Sequence, residues 1–213
     1  GVKNVMNETY QEDLERCREI ILDAIADEQK QLKNDIAYIK NEVFTGEKVP
    51  TPSSTVKYLC RQYDLYSVML LDKDANLMYT SGNNKGVDTD SEQAALRVGK
   101  DNAISVFTTI KNNEILLTTC CRLSTEDKCI LVLQKSISDI KWIEKYAEYL
   151  NCNISFFVSD IRVETNIQAS DGSYLNNTPI NNKDITKTVY EEDKIHRTVS
   201  KIDGQNYVAA YMP

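Results

Sequence analysis

The stretch "DKDANLMYTSGN", residues 72–83, places Asp72, Asp74 and Asn76 at the spacing that opens a calcium loop. Such a loop needs Gly at its sixth position and a bidentate acid at its twelfth. Leu77 and Asn83 stand there instead, so a polar hairpin turn is expected. His196 is the only histidine, in an expected exposed strand, and neither a Ser-His-Asp nor a Cys-His site can be assembled around it. The vicinal pair Cys120 and Cys121 must point to opposite faces of a strand, which argues against a shared catalytic role. The other cysteines, Cys17, Cys60, Cys129 and Cys152, make no C-x-x-C, and no zinc site is expected. Most of the six sit in apolar patterns and read as free, buried thiols. No Gly-rich phosphate loop follows a strand. The chain is read as not an enzyme, with no metal and no cofactor.

One stretch remains. "SDIRVETNIQASDGSYLNNTPI", residues 159–180, follows directly on a strand carrying Phe156, Phe157 and Val158. Its Asp-x-Arg pair, Thr-Asn pair and Asp-Gly turn could belong to a phosphate loop, a metal loop or the frame of a sensor fold.

Composition narrows the choice. With 213 residues, 41% of them hydrophobic and 27% charged, the chain has the balance of a globular protein and the length for one large or two small domains. A net charge of -7 and no basic cluster make nucleic acid an unexpected partner. The longest apolar runs, "VMLL" and "CILVL", fall far short of a membrane span.

The elements that must position these residues follow from periodicity. Leu14, Cys17, Ile21, Ile25, Leu32, Ile36, Ile39 and Val43 form one apolar stripe, and no Gly or Pro interrupts before Gly46, so residues 1–48 read as one long helix. Its stripe suits a dimer arm or a spine for two domains. A short helix carrying Val56, Leu59, Cys60 and Tyr63 is expected next, capped by Ser53 or Ser54. Five strands with a helix near "TDSEQAALR" then suit an antiparallel sheet with helices on one side. At Ser136 the pattern restarts: a capping box with Asp139, a helix, two strands, a capped helix near "KDITKTVYEE" and a hairpin turning at Asp203-Gly204.

Together, the long helix, the two copies and the motif resemble bacterial double Cache sensor domains of the fused Cache-three/Cache-two type. These stand outside the membrane in chemoreceptors, sensor kinases and diguanylate cyclases. The residues on the family pattern are Asp160, Arg162, Thr165, Asn166, Asp171, Gly172, Thr178, Gly204, Tyr207, Tyr211 and Pro213, with Asn177 where the family has Gly. The resemblance implies an α+β fold, a long N-terminal helix followed by two PAS-like antiparallel-sheet domains. Residues 49–135 would be membrane-distal and ligand-binding, and residues 136–213 membrane-proximal. In the motif, Asp160 and Arg162 would pair with each other or with nearby backbone as framework. The distal pocket would lie between the sheet and residues 83–102, lined from Tyr66, Met69, Tyr79, Ser81, Thr118, Cys120 and Arg122, with Arg97 and Lys100 from the covering segment. Cations beside tyrosines suit a small carboxylate or amino acid. The implied function is the extracytoplasmic ligand-sensing domain of a membrane-anchored chemoreceptor, homodimeric at full length. The alternatives are the sensor domain of a histidine kinase or diguanylate cyclase, or an interaction module without a small ligand.

Overall fold

The computed structural model describes residues 2–98 and 106–213, apart from the side chains of residues 2–11, 200, 206 and 208. It opens on α1 (Val2–Tyr38), which passes into a wider π-helical turn, Ile39–Val43. The expected apolar stripe is what the helix buries: Leu32, Ile36 and Ile39 are each 1% exposed or less. The described residues form two compact units, Ile25–Ile137 and Gly1–Ala24 with Ser138–Pro213, and α1 contributes to both. No described helix is long and apolar enough to cross a membrane.

In the unit Ile25–Ile137, α2 (Pro52–Gln62) starts on its proline. Neither Ser53 nor Ser54 caps it; Thr51 is the N-cap residue and makes no side-chain bond. A proline in the first turn has its φ already set for a helix and lacks only an N–H that would be unpaired there. The strands are β1 (Ser67–Leu71), β2 (Leu77–Gly82), β3 (Phe107–Lys111), β4 (Glu114–Arg122) and β5 (Ile130–Ser136), with α3 (Thr89–Arg97) between β2 and β3. They form one antiparallel sheet in the order β2-β1-β5-β4-β3. The turn from β1 to β2 is held by the Asp72 carboxylate, which accepts from the backbone N–H groups of Asp74 and Asn76 at 2.9 Å. These bonds hold the carboxyl below the usual aspartate range.

Helices cover both faces of this sheet, not one as expected. On the first face Val68, Leu70, Leu117, Cys121, Leu131 and Leu133 pack with residues of α1 and α2. On the other, Met69, Leu71, Cys120, Ile130 and Val132 pack with Ala94, Ala95 and Val98 at α3. The central strands β1, β4 and β5 are therefore buried on both sides, and their sequences carry the hydrophobic runs "VMLL", "ILL" and "ILVL".

In the second unit, α4 (Ile140–Leu150) is capped by Asp139, whose carboxylate accepts from the Lys141 N–H at 2.7 Å. The expected capping box does not form, because Ser136 is the last residue of β5 and its hydroxyl donates to Glu114. The helix buries Ile143 and Ala147 against Ile154, with Trp142, Tyr146 and Phe156 around them. There follow β6 (Ser155–Val158), β7 (Ile161–Thr165), β8 (Thr178–Pro179), α5 (Lys183–Thr186), β9 (His196–Ile202) and β10 (Gln205–Tyr211). This unit does not copy the single sheet of the first. It has a three-stranded sheet, β6-β7-β8, and a separate hairpin of β9 and β10. A bulge between the Phe156–Glu164 and Phe157–Arg162 pairs leaves Val163 of β7 as the extra residue, and bulges bend and twist the strand that carries them. Phe157 meets Tyr211 of β10 through their rings, 5.9 Å apart.

All six cysteines are unpaired thiols. Cys120 and Cys121 are fully buried in the two opposite cores, and desolvation pushes both thiols up to about 12. A thiol raised in the folded state holds its proton there more tightly than in the unfolded chain, where it ionises near ~8.5. Its stabilising effect is complete below that value and is lost as pH rises toward 12, by about 1.4 kcal/mol per pH unit per thiol. In reducing buffer the urea midpoint should therefore fall between about pH 8.5 and pH 10. The fall should be shallower in a Cys120→Ala, Cys121→Ala double variant. Equal slopes in the two proteins would contradict the assignment.

Candidate functional site

The α3 face of the first sheet carries a polar belt inside an apolar core. Pairing register aligns Gly82, Ser67, Gln134, Thr118 and Phe107 in one row across the five strands. Gln134 is fully buried at its centre. Its Nε2 donates to the Asp88 carboxylate at 3.1 Å and to the Thr118 hydroxyl at 3.2 Å. Its Oε1 accepts from Asn84 Nδ2 at 2.7 Å. Thr118 pairs with Thr109 at 2.8 Å, and Asp88 caps α3 by accepting from the Ser91 N–H at 2.8 Å. The Lys111 ammonium donates to Asn84 Oδ1 and, at 2.8 Å, to the Gly86 carbonyl. Two polar atoms on this face are buried with no partner: the Ser67 hydroxyl, in the row beside Gln134, and Arg122 Nε, four residues along β4 from Thr118. An unpaired buried donor is costly and uncommon, so these atoms mark where a ligand's acceptors could sit.

The expected lining residues divide. Met69, Thr118 and Cys120 are brought together on the α3 face. Arg122 stands at the end of β4 opposite Ile130, on the same face. Arg97 is exposed in the last turn of α3; its Nε donates to the Gln93 carbonyl, and its charge opposes the rise of the Cys120 thiol. Lys100 lies outside the described residues. Tyr66 precedes β1, half-buried, its phenol raised by burial and by Glu114. Tyr79 and Ser81 are not on this face. They pair with Leu70 and Val68, which belong to the α1 and α2 core, and Ser81 hydrogen-bonds the Cys60 thiol of α2. A bulge between Leu70 and Leu71 leaves Met78 unpaired and exchanges the two faces of β2. Thr80 takes the inward place, its hydroxyl donating to the Asn84 carbonyl at 2.9 Å. Sequence reasoning missed Gln134, Asn84, Asp88, Ser67 and Lys111. The only local signal was Gln134, a polar residue at the end of "CILVLQ".

In the second unit the motif residues form a tied frame around Arg162. Asp160 does not pair with it. Ser159 takes a positive φ of 53°, Asp160 is exposed, and its carbonyl accepts from the Ile180 N–H at 2.7 Å. Arg162 turns inward and is 5% exposed. Its Nε donates to Ser155 at 3.2 Å and its Nη1 to Thr178 at 2.6 Å, with the guanidinium 5.0 Å from the Phe157 ring centroid. Thr165 donates to the Ile154 carbonyl at 3.1 Å, and Asn166 accepts from the Ile154 N–H at 2.8 Å. Gly172 and Gly204 supply positive φ at their turns, and Asp171 accepts from the Ser173 N–H at 2.9 Å. Asn177 sits at φ 62°, a left-handed position that Asn tolerates, which is how it stands where the double Cache pattern it resembles has Gly. Tyr207 and Tyr211 are half-buried on β10, and Pro213 is exposed at the chain end.

Residues 135–213 match the family model described as single cache domain 3. The matched segment contains every motif residue named above. No curated protein sequence matches the chain. Among solved structures, the extracellular domain of vpHK1S-Z8 aligns with 93% of this chain and 86% of its own, at 12% identity and a TM-score of 0.52. The sensor domain of the V. cholerae histidine kinase DctB aligns with 78% and 69%, at 9% identity and 0.49. The sensory domain of the Campylobacter jejuni chemoreceptor Tlp3 aligns with 96% and 87%, at 11% and 0.47. At such identities the first of these likenesses is one of fold. A mixed α+β chain with a long N-terminal helix and antiparallel sheets, of the kind found in cache sensor domains, is thereby supported.

Proposed function

We propose that this chain is the extracytoplasmic ligand-sensing part of a membrane-anchored receptor, a chemoreceptor in the first instance, without catalytic activity of its own. A small carboxylate or amino-acid-like molecule binds on the α3 face of the first sheet, and its binding is passed on across the membrane. Residues 49–135 then act as the membrane-distal domain and residues 136–213 as the membrane-proximal one, with α1 available for pairing in a homodimer. The reading is carried by the polar belt around Gln134, with the unpartnered Ser67 hydroxyl beside it and the unpartnered Arg122 Nε four residues further along β4 on the same face. A sheet that needed only to pack would place apolar side chains there, since buried polar groups cost free energy unless satisfied.

A ligand that binds only the folded state stabilises it by about 2.7 kcal/mol at a hundredfold excess over its dissociation constant. A thermal-shift screen of carboxylates, amino acids and amines should therefore yield a hit. That hit should be lost in Arg122→Ala and weakened in Thr118→Val, once each variant's own baseline is subtracted. A hit unchanged in both variants would place binding elsewhere and end this reading.

A further inference from the structure

Arg162 is a buried guanidinium without a counter-ion: among the described residues no carboxylate lies within ion-pairing distance of it. A buried charge in this state is held by weaker compensation, here two hydroxyls, one aromatic face and the Tyr211 phenol, which favours the charged form. Both hydroxyls have other partners: Thr178 donates to the Leu175 carbonyl at 2.8 Å, and Ser155 pairs with Thr165 at 2.7 Å. A guanidinium carries five N–H donors, and the two hydrogen bonds leave three of them over. Two cavities of this unit, about 490 and 840 Å³, share Arg162, Ile202 and Tyr211 in their walls.

The smaller cavity is the better fit to a ligand. Leu175, Ile180 and Ile185 give it an apolar side beside Arg162 and Thr178. Lys201 and Asp203 at its wall are both exposed and opposite in sign, so Arg162 is its one buried charge. In the larger cavity Arg16 is already paired with Asp13 at 3.4 Å. We propose that Arg162 anchors a second binding site, in the unit formed by Gly1–Ala24 and Ser138–Pro213, for a short-chain monocarboxylate. The carboxylate accepts two parallel N–H bonds from the guanidinium, and the tail lies against Leu175, Ile180 and Ile185. One buried cation selects one carboxylate. This site is separate from the α3 face of the first sheet and does not depend on it.

The test uses the intact chain with three probes: sodium propionate, propionamide of the same shape without the charge, and sodium sulfate. Propionate should raise the melting temperature and the other two should not. By calorimetric titration, Arg162→Lys should weaken propionate binding about tenfold or more, because an ammonium keeps the charge but not the paired donors. Should that variant fail to fold, the wild-type chain still decides the matter by NMR. Propionate should then shift the Arg162 Nε–H and the backbone amides of Asn177 and Thr178. The proposal is overturned by no propionate effect, by an equal effect of propionamide or sulfate, by undiminished affinity in Arg162→Lys, or by shifts confined to residues 25–137.

Discussion

Gly82→Ala is expected to cost about 4 kcal/mol of stability, near the upper end for a single substitution. Gly82 ends β2 at φ +98°, where it pairs with Ser67. A Cβ there would stand 2.3 Å from the Tyr66 carbonyl oxygen and 2.9 Å from the Ser67 Cα. Both are backbone atoms of the neighbouring chain segment, so relief requires β1 itself to move. Tyr66 is held there by its N–H to the Gln134 carbonyl at 2.9 Å and by the Asn83 N–H on its own carbonyl at 2.8 Å. Gly172→Ala separates the two contributions. Gly172 also has positive φ, +85°, but its Cβ would meet nothing within 4 Å. That variant should lose only about 1–2 kcal/mol, the conformational cost alone. Urea unfolding followed by far-ultraviolet circular dichroism measures both, and equal losses would show that the close approach at Gly82 is relieved without cost.

Gln134→Leu should cost about 3 kcal/mol, although the side chains are alike in size. Leucine would leave Asn84 Nδ2 without its acceptor and take one donor each from Asp88 and Thr118. Unsatisfied buried groups lose about 1–3 kcal/mol apiece. The diagnostic is coupling. Asn84→Leu alone should also be costly, because Lys111 then loses its side-chain acceptor. The double variant should cost less than the sum of the two, by about 1 kcal/mol or more, since the shared bond is counted once. Additive losses would mean that the belt is a set of independent contacts rather than a network.

Much of the architecture was legible because it depends on local period. The stripe from Leu32 to Ile39 is a helix that buries those residues, and the alternation of Cys120 and Cys121 does send them to opposite cores. Turns were legible where Asn or Asp must take positive φ, as at Asn112, Asn113 and Asp203. The site was less so. Counting outward from the Leu71–Leu77 pair in a regular hairpin would set Tyr79 beside Met69; one bulged residue sets it beside Leu70. Nothing in the identity of Met78 announces that bulge. The Asn84–Gln134 bond joins residues fifty positions apart, beyond the reach of any local pattern. Arg162 was visible as a motif residue, but Asp160, two residues before it, suggested a pair that does not form: Ser159 takes a positive φ and Asp160 is exposed. The short strand Thr178–Pro179 was invisible because two residues have no period.

The vicinal thiols have a consequence beyond stability. The S–H stretch absorbs in a part of the infrared spectrum that other protein groups leave nearly clear, and its frequency follows the local field and hydrogen bonding. Cys120 faces the α3 side and Cys121 the α1 and α2 side, so adjacent residues on one strand are two native vibrational probes looking in opposite directions. Cys-to-Ala replacement of each in turn assigns the two bands. An occupant of the α3 face that leaves the sheet unmoved perturbs the Cys120 band alone. One that shifts the strand against α1 perturbs both, and the ratio of the two displacements reads out optically how much of a binding event crosses the sheet.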